Sequence, residues 1–435
     1  MRTLKHAAVQ LFIVTTLATV LLGLSSCVVR DLRKDLESAR ERYGYLKAKI
    51  TGPSIKSHAV VGLFKRDGDS MSIVNVRTVE VGETFYFLVP DANYTLFAFA
   101  DDNHDFIYQP GEPAVRVENP LINRLKDFES KSRVEYEAMV EQKFLLSSSV
   151  VLDQQLDFSV EALRERSNVV ANFLGVVDWG DDRFSDANIR RGMWEPSAFQ
   201  DQVGYGLYSL KEFDPSQKSI LLVHGINGSP RDFRALVEQL PLGYQALLFH
   251  YPSGFSLEHS AYMLTDALEE LLRRYDIPDL DVIAHSMGGL VSQGMLYQLE
   301  EGLRMRIENF ITLATPFAGH AAAGLGIKWA PTVAPVWWAM APNSRYLQKI
   351  STVDLSSGPN HHLIFSFSRQ AGGDSKGDDG VVSVKSQLAY PAQRNVTGMY
   401  GIADDHNGVI GNACTVALLE DILADGSSKV PFPGC

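Results

Sequence analysis

Leu280-Asp281-Val282-Ile283-Ala284-His285-Ser286-Met287-Gly288-Gly289 is the stretch on which the reading of the fold turns. Leu280 to Ala284 is a short apolar run with one acid, the texture of a buried strand. From Gly288 to Glu301 the pattern becomes helical. Ala284 and Gly288 stand two places either side of Ser286, the G-x-S-x-G spacing with Ala in the first position. Small residues are required there because strand and helix must close on a sharp, strained turn. That turn lifts the serine hydroxyl out of the sheet. The helix behind it brings backbone N–H groups and a positive dipole end to the same point. The pentapeptide by itself is common and its plain alternative is a Gly-containing turn. The strand before it and the helix after it make the pattern more specific.

Working outward, further strands are expected at Ser219–Val223, Gln245–His250, Phe310–Ala314, Leu363–Phe367 and Val396–Gly401. Helical spacing falls between most of them, at Arg231–Leu240, Leu257–Tyr275 and Gly288–Glu301, with a last helix at Thr415–Ala424. Strand-helix alternation predicts an α/β fold with a mainly parallel sheet covered on both faces. The domain is expected to span residues 169–435.

Leu221-Leu222-Val223-His224-Gly225-Ile226-Asn227-Gly228 closes the first strong strand, about 60 residues before the elbow. With these two motifs the region from about Ser219 to Ala424 resembles an α/β-hydrolase of the lipase and esterase kind. The resemblance implies an oxyanion hole made by the backbone amides of Ile226 and Met287. It implies a triad in the order Ser, acid, His, carried over as Ser286, Asp379 and His406. Asp378-Asp379-Gly380-Val381-Val382 and Asp404-Asp405-His406-Asn407-Gly408 resemble the family's acid and base motifs. Asp378 is the alternative acid, since adjacent carboxylates cannot be separated by spacing. The plain alternatives are a solvated acidic loop and a surface histidine. His320, His361 and His362 lie in less suitable places. Such a mechanism requires no metal or organic cofactor.

Residues 317–350 are expected to form a lid-like insertion or acyl pocket. Trp329, Trp337 and Trp338, three of the five Trp, fall there, with Met340 beside an Ala/Gly-rich run. A packed insertion whose aromatics belong to the core is the equal alternative. Thr315-Pro316-Phe317-Ala318-Gly319 and Pro342-Asn343-Ser344 are also similar to glycosylphosphatidylinositol-deacylase-like hydrolases. The resemblance implies a lipid or other hydrophobic ester as substrate. Thioesterase and peptidase activity stay open. A different class also stays open: an envelope binding or adhesion lipoprotein whose hydrolase domain is inactive.

The amino end speaks to location. Arg2 and Lys5 precede an apolar stretch from Ala7 to Leu24, the layout of a signal peptide. Leu24-Ser25-Ser26-Cys27 resembles the lipobox of bacterial lipoproteins, which implies a leader over 1–26 and acyl chains on Cys27. Each buried CH₂ of those chains adds ~0.8 kcal/mol of anchoring. Val28, rather than Asp, follows the cysteine, which favours the outer membrane of the cell envelope in a Gram-negative source.

Between anchor and hydrolase the sequence divides into three. Leu32, Leu36, Ala39, Tyr43, Leu46 and Ile50 recur at heptad spacing, which predicts one amphipathic helix within 27–53. Strand-rich texture predicts a small β-sandwich-like domain over 54–120. Residues 121–168 read as a helical connector. Asp101, Asn103, Asp105 and Glu112 have the spacing of a calcium-binding loop, although Phe106 occupies the turn position normally held by Gly. The alternative is an acidic, solvated turn. Cys414 and Cys435 are the remaining cysteines of three. Oxidising conditions outside the cytoplasm make them a candidate disulfide, with two free thiols the alternative.

The 435 residues carry 40 Lys+Arg against 52 Asp+Glu, a formal charge of −12. That excess of acid argues against a nucleic-acid partner. A hydrophobic fraction of 45% and a charged fraction of 21% exclude wholesale disorder.

Overall fold

The computed structural model describes residues 26–425, except 53–57, 69, 128–138, 153–155, 160–161, 163–170, 242, 331, 357, 369–376 and 395. The expected leader, up to Ser25, and Cys435 lie outside the described residues.

The chain begins with helix α1 (Ser26–Arg42), in which Leu32 is fully buried. The helix stops well short of Ile50. Tyr43–Thr51 is strand β1, antiparallel to β4 (Thr84–Pro90). Leu46, Ala48 and Ile50 are buried together in one core, so period two governs where heptad spacing suggested a helix. Gly44 reinforces the change: a Cβ there would stand 2.5 Å from Ile122 and 2.8 Å from the Asn123 carbonyl.

Two four-stranded sheets follow. The first has the order β4-β1-β7, with β8 paired parallel to β1; β7 is Asn123–Arg124 and β8 is Glu141–Leu145. The second has the order β3-β2-β5-β6, from His58–Asp67 (β2), Ser70–Glu80 (β3), Tyr94–Ala100 (β5) and Ala114–Glu118 (β6). Leu46, Phe85 and Phe87 of the first pack with Val61, Leu63 and Leu96 of the second. The sandwich therefore starts at β1 and draws in residues beyond 120. The helical connector is corrected here. Residues 141–145 form a strand, and Phe158 is buried against Phe64 and Phe99. An edge strand such as Glu-Gln-Lys-Phe-Leu, with only Phe144 buried, has too weak an alternation to show in sequence.

The second domain is an eight-stranded sheet of order β16-β15-β14-β13-β11-β12-β10-β9. Its strands are Ala171–Val176 (β9), Tyr205–Ser209 (β10), Lys218–Val223 (β11), Tyr244–His250 (β12), Leu280–His285 (β13), Ile307–Leu313 (β14), Asn360–Ser366 (β15) and Val396–Ile402 (β16). β10 pairs antiparallel with β12 and parallel with β9; the other pairings are parallel. This is the α/β class read from the sequence. Alternate residues feed two cores: Leu221, Val223 and Val282 on one face, Ile220, Leu222 and Ile283 on the other. Helices α4 (Leu257–Arg274) and α5 (Met287–Gln298) cover the first face, and α9 (Ala413–Asp425) covers the second. Two short helices between β9 and β10, α2 (Asp186–Trp194) and α3 (Pro196–Gln202), had no clear sequence signal. The insertion after β14 folds as α6 (Ala321–Trp329), α7 (Pro335–Met340) and α8 (Arg345–Ile350). Cys414 in α9 is disulfide-bonded.

The two domains are joined through buried charge. Arg77 of β3 pairs with Asp266 at 2.7 Å and Glu269 at 3.1 Å, both on α4. Arg273 donates to Glu83 at 3.0 Å, and Tyr45 meets His259 Nδ1 at 2.8 Å. Removing one partner of such a cluster strands the others without water. Arg77→Ala should therefore lower unfolding stability by about 3–5 kcal/mol, read as a fall in the urea midpoint.

Candidate active site

The parallel strands deliver their following loops to one edge of the sheet. β13 ends at His285, and Ser286 takes φ 52° and ψ −125° before α5 begins. A non-glycine residue in the left-handed region is held there only by its surroundings. The closeness is measurable. A Cβ on Gly288 would stand 2.2 Å from the Val223 carbonyl oxygen, and one on Gly225 would stand 3.0 Å from Ser286 Cβ. The end of β11 and the elbow thus press on each other, which explains small residues at both places.

His406, in the loop after β16, lies with Nε2 2.8 Å from Ser286 Oγ and Nδ1 2.7 Å from Asp379 Oδ2. A carboxylate can only accept, so the proton sits on Nδ1 and Nε2 accepts from the serine hydroxyl. All three side chains are nearly closed off, at 4% (Ser286), 7% (His406) and 1% (Asp379) exposure. Asp379 is held on every side. Its Oδ1 accepts from the Val381 and Val382 amides at 2.9 and 2.7 Å. Its Oδ2 also accepts from Ser366 Oγ at 2.6 Å and Gln387 Nε2 at 3.2 Å. Burial pushes this carboxyl up, but the hydrogen bonds from His406 and Ser366 outweigh it and hold the group at about 2. Asp378, the alternative acid, instead accepts from the Gly380 amide at 3.1 Å and is only half-buried.

The loop carrying Ile226 is braced from several directions. Tyr251 donates to the His224 carbonyl at 2.7 Å, and Asn227, at φ 52°, donates its amide to Ser253 Oγ at 3.2 Å. Ser229 and Asp232 form a capping box over the next turn. Burial lifts Asp232 to about 6, against the opposing hydrogen bond from the Ser229 amide. Met287 is the first residue of α5, where a helix has N–H groups without internal partners.

One contributor escaped the sequence reading. His285 Nε2 donates to the carbonyl of His406 at 2.8 Å, with the two rings 4.8 Å apart. Burial, reinforced by the neighbouring His406, pushes His285 down to about 3, so it stays neutral. The bond ties the loop of the ring to the strand of the serine. His285→Phe should lower kcat by about 10²-fold with little change in KM, as expected of a displacement near 1 Å. His285→Gln, which keeps an N–H donor, should recover part of the loss in the same steady-state assay.

The candidate calcium residues Asp101, Asn103, Asp105 and Glu112 lie in one loop and bond to groups of that loop. Asp101 accepts from the backbone amides of Asp105 and Phe106, and Asp105 from the backbone amide of Ile107 and the side-chain NH₂ groups of Asn103 and Gln109. Glu112 accepts from the Gln109 amide. Phe106 takes φ 62° with its side chain buried. Among the described residues no three His, Cys, Asp or Glu are grouped to hold a metal ion.

A family profile described as a PGAP1-like alpha/beta domain matches residues 249–365. A comparison with curated proteins finds no match. Among solved structures the chain is similar to the mature Bacillus licheniformis lipase BlEst2, at 20% identity over 47% of this chain and 92% of that one, with a TM-score of 0.38. It is also similar to a Pyrococcus furiosus esterase at 18% identity, over 48% of this chain and 81% of that one, TM-score 0.34. A third is a thermophilic esterase from Thermogutta terrifontis, at 13% identity over 52% and 94%, TM-score 0.35. Residues 249–365 are thus similar to a PGAP1-like alpha/beta domain, and they lie within the mainly parallel sheet of residues 171–425 that carries the Ser286 turn.

Proposed function

We propose that the protein is a lipid-anchored serine hydrolase that cleaves carboxylic esters of hydrophobic or lipid-like acyl groups. The observation that carries the reading is the file Ser286–His406–Asp379, joined at 2.8 and 2.7 Å. A neutral serine is a weak nucleophile. His406 Nε2 takes its proton as Oγ attacks the ester carbon, and Asp379 stabilises the imidazolium by accepting from Nδ1. The carbonyl oxygen becomes an oxyanion facing the Ile226 and Met287 amides, each contributing ~2.7–4 kcal/mol at the transition state. His406 then gives its proton to the leaving alcohol. Water, deprotonated by the same ring, releases the acid and restores the serine.

The anchor is Cys27, acylated at the bacterial cell envelope, in the outer membrane for a Gram-negative source. The apolar insertion 317–350 supports a hydrophobic acyl group. The mechanism calls on no metal or organic cofactor, and the acidic chain has no nucleic-acid partner. A fluorophosphonate probe tests the chemistry. Labelling of the native protein that vanishes in Ser286→Ala supports it. Failure of the native protein to label would favour an inactive, binding lipoprotein instead. A panel of p-nitrophenyl esters of graded chain length then reads the depth of the acyl site.

A further inference from the structure

Helix α1 does not behave as a tether. Cys27 is its second residue, and Leu32, only five positions on, is fully buried in the core that also holds Val223, Met287 and Leu290. Asp35 accepts from the amides of Ser197 and Ala198, both at 3.1 Å, in the first turn of α3. Arg42 donates to Asp201 at 3.1 Å, near the other end of α3. The two helices therefore run side by side in the same direction. The amino half of α1 extends past the start of α3, toward the end of α2. There Trp194 packs edge-on against Trp337 of α7, at 6.2 Å between ring centres. At ~1.5 Å per residue, Cys27 stands about 12 Å beyond Asp35 on that axis.

The insertion on that side has an unusual composition for this chain. From Phe317 to Asn343 the one residue among Asp, Glu, Lys and Arg is Lys328, in a protein of formal charge −12. Leu325 and Trp329 are one turn apart on α6 and stand 42% and 61% exposed. Trp338 on α7 is 42% exposed. Gly326 lets the two helices close, since a Cβ there would lie 2.7 Å from the Trp337 ring. The exposed side chains thus project from one packed pair of helices. Trp rings suit the headgroup layer of a bilayer, apolar at one end and polar at the other. Lys328 lies over the Trp329 ring at 5.0 Å, with its ammonium free to reach headgroups. Anionic lipid repels an acidic protein, so an acid-free face is the one that approaches at least electrostatic cost.

We propose that α1 is a rigid strut that fixes the hydrolase on the bilayer in one orientation, with Leu325, Trp329 and Trp338 seated among the lipid headgroups. This rests on the reading of Cys27 as the lipid anchor. The seated face is rooted on the acid loop: His320 Nε2 donates to the Val381 carbonyl at 2.7 Å, and Ser386 Oγ to the Gly319 carbonyl at 2.6 Å. Substrate would therefore be met at the membrane surface, as an amphiphile already in the bilayer.

The test uses the full lipidated protein in vesicles of phosphatidylethanolamine and phosphatidylglycerol bearing brominated acyl chains. Flotation reports the anchor and quenching of tryptophan emission reports the seated face. The native protein should float and be quenched. The doubly substituted Trp329→Phe, Trp338→Phe protein should float equally and lose most of the quenching. A flexible Gly-Ser linker of about twelve residues inserted after Val28 should leave flotation and soluble-ester hydrolysis intact while quenching falls. Flotation of the native protein without quenching overturns the orientation alone. A linker variant quenched like the native protein overturns the strut instead, because the face then seats without it. Failure to float overturns the anchor itself and the strut with it.

Discussion

Ser286→Ala should lower kcat for ester hydrolysis by about 10⁶-fold, the scale seen when a triad nucleophile is removed. The substitution deletes one oxygen from a residue that is 4% exposed and already in the left-handed region. Alanine inherits the same backbone strain, so the thermal midpoint should hardly move while activity collapses. What stays behind is the pair of amides and the binding surface, which still give ~10³–10⁴-fold over water. A chromogenic ester assay beside a thermal melt separates the two quantities. Retention of more than ~1% of activity is far outside that scale and would place the nucleophile on another side chain.

The elbow was legible because its constraint is local and steric. Val223 and His224 press on Gly288 from the neighbouring strand end, and only small residues satisfy that, so the demand is written into five consecutive positions. The choice between Asp378 and Asp379 was not. It depends on which carboxylate the turn points inward, and that is set by Gly380 at φ 94° and by two amides three-dimensionally behind the group. The His285–His406 bond spans 121 positions, and no spacing rule connects such a pair. Helix α1 and strand β1 illustrate a different failure. Leu46 and Ile50 satisfy both a heptad and, with Ala48, a two-residue period. Pairing with β4 decided between them, and pairing partners far along the chain are invisible to a local pattern. β8 was missed because, at a sheet edge, only Phe144 of its five residues is buried.

Asp379→Asn should cost about 10⁴ in kcat near neutral pH with little effect on folding, and the direction of the amide is what makes the expectation firm. Oδ1 sits against two backbone donors, the Val381 and Val382 amides. An asparagine must keep its carbonyl oxygen there, because an NH₂ group would oppose two N–H groups at close range. Its NH₂ is then forced into the place of Oδ2, facing His406 Nδ1, Ser366 Oγ and Gln387 Nε2. Ser366 can reverse its hydroxyl and accept. His406 can accommodate the new donor only by accepting at Nδ1, which moves its proton to Nε2. That tautomer presents N–H to Ser286 and has no lone pair to receive the serine proton. Geometry survives while the base is disabled, so kcat falls and KM is spared. Asp378→Asn is the matched control. Its carboxylate accepts from the Gly380 amide at 3.1 Å, a bond that the asparagine oxygen reproduces, and kcat should stay near the native value. Equal losses from the two substitutions in steady-state assays would mean that the acid behind His406 has been assigned to the wrong carboxylate.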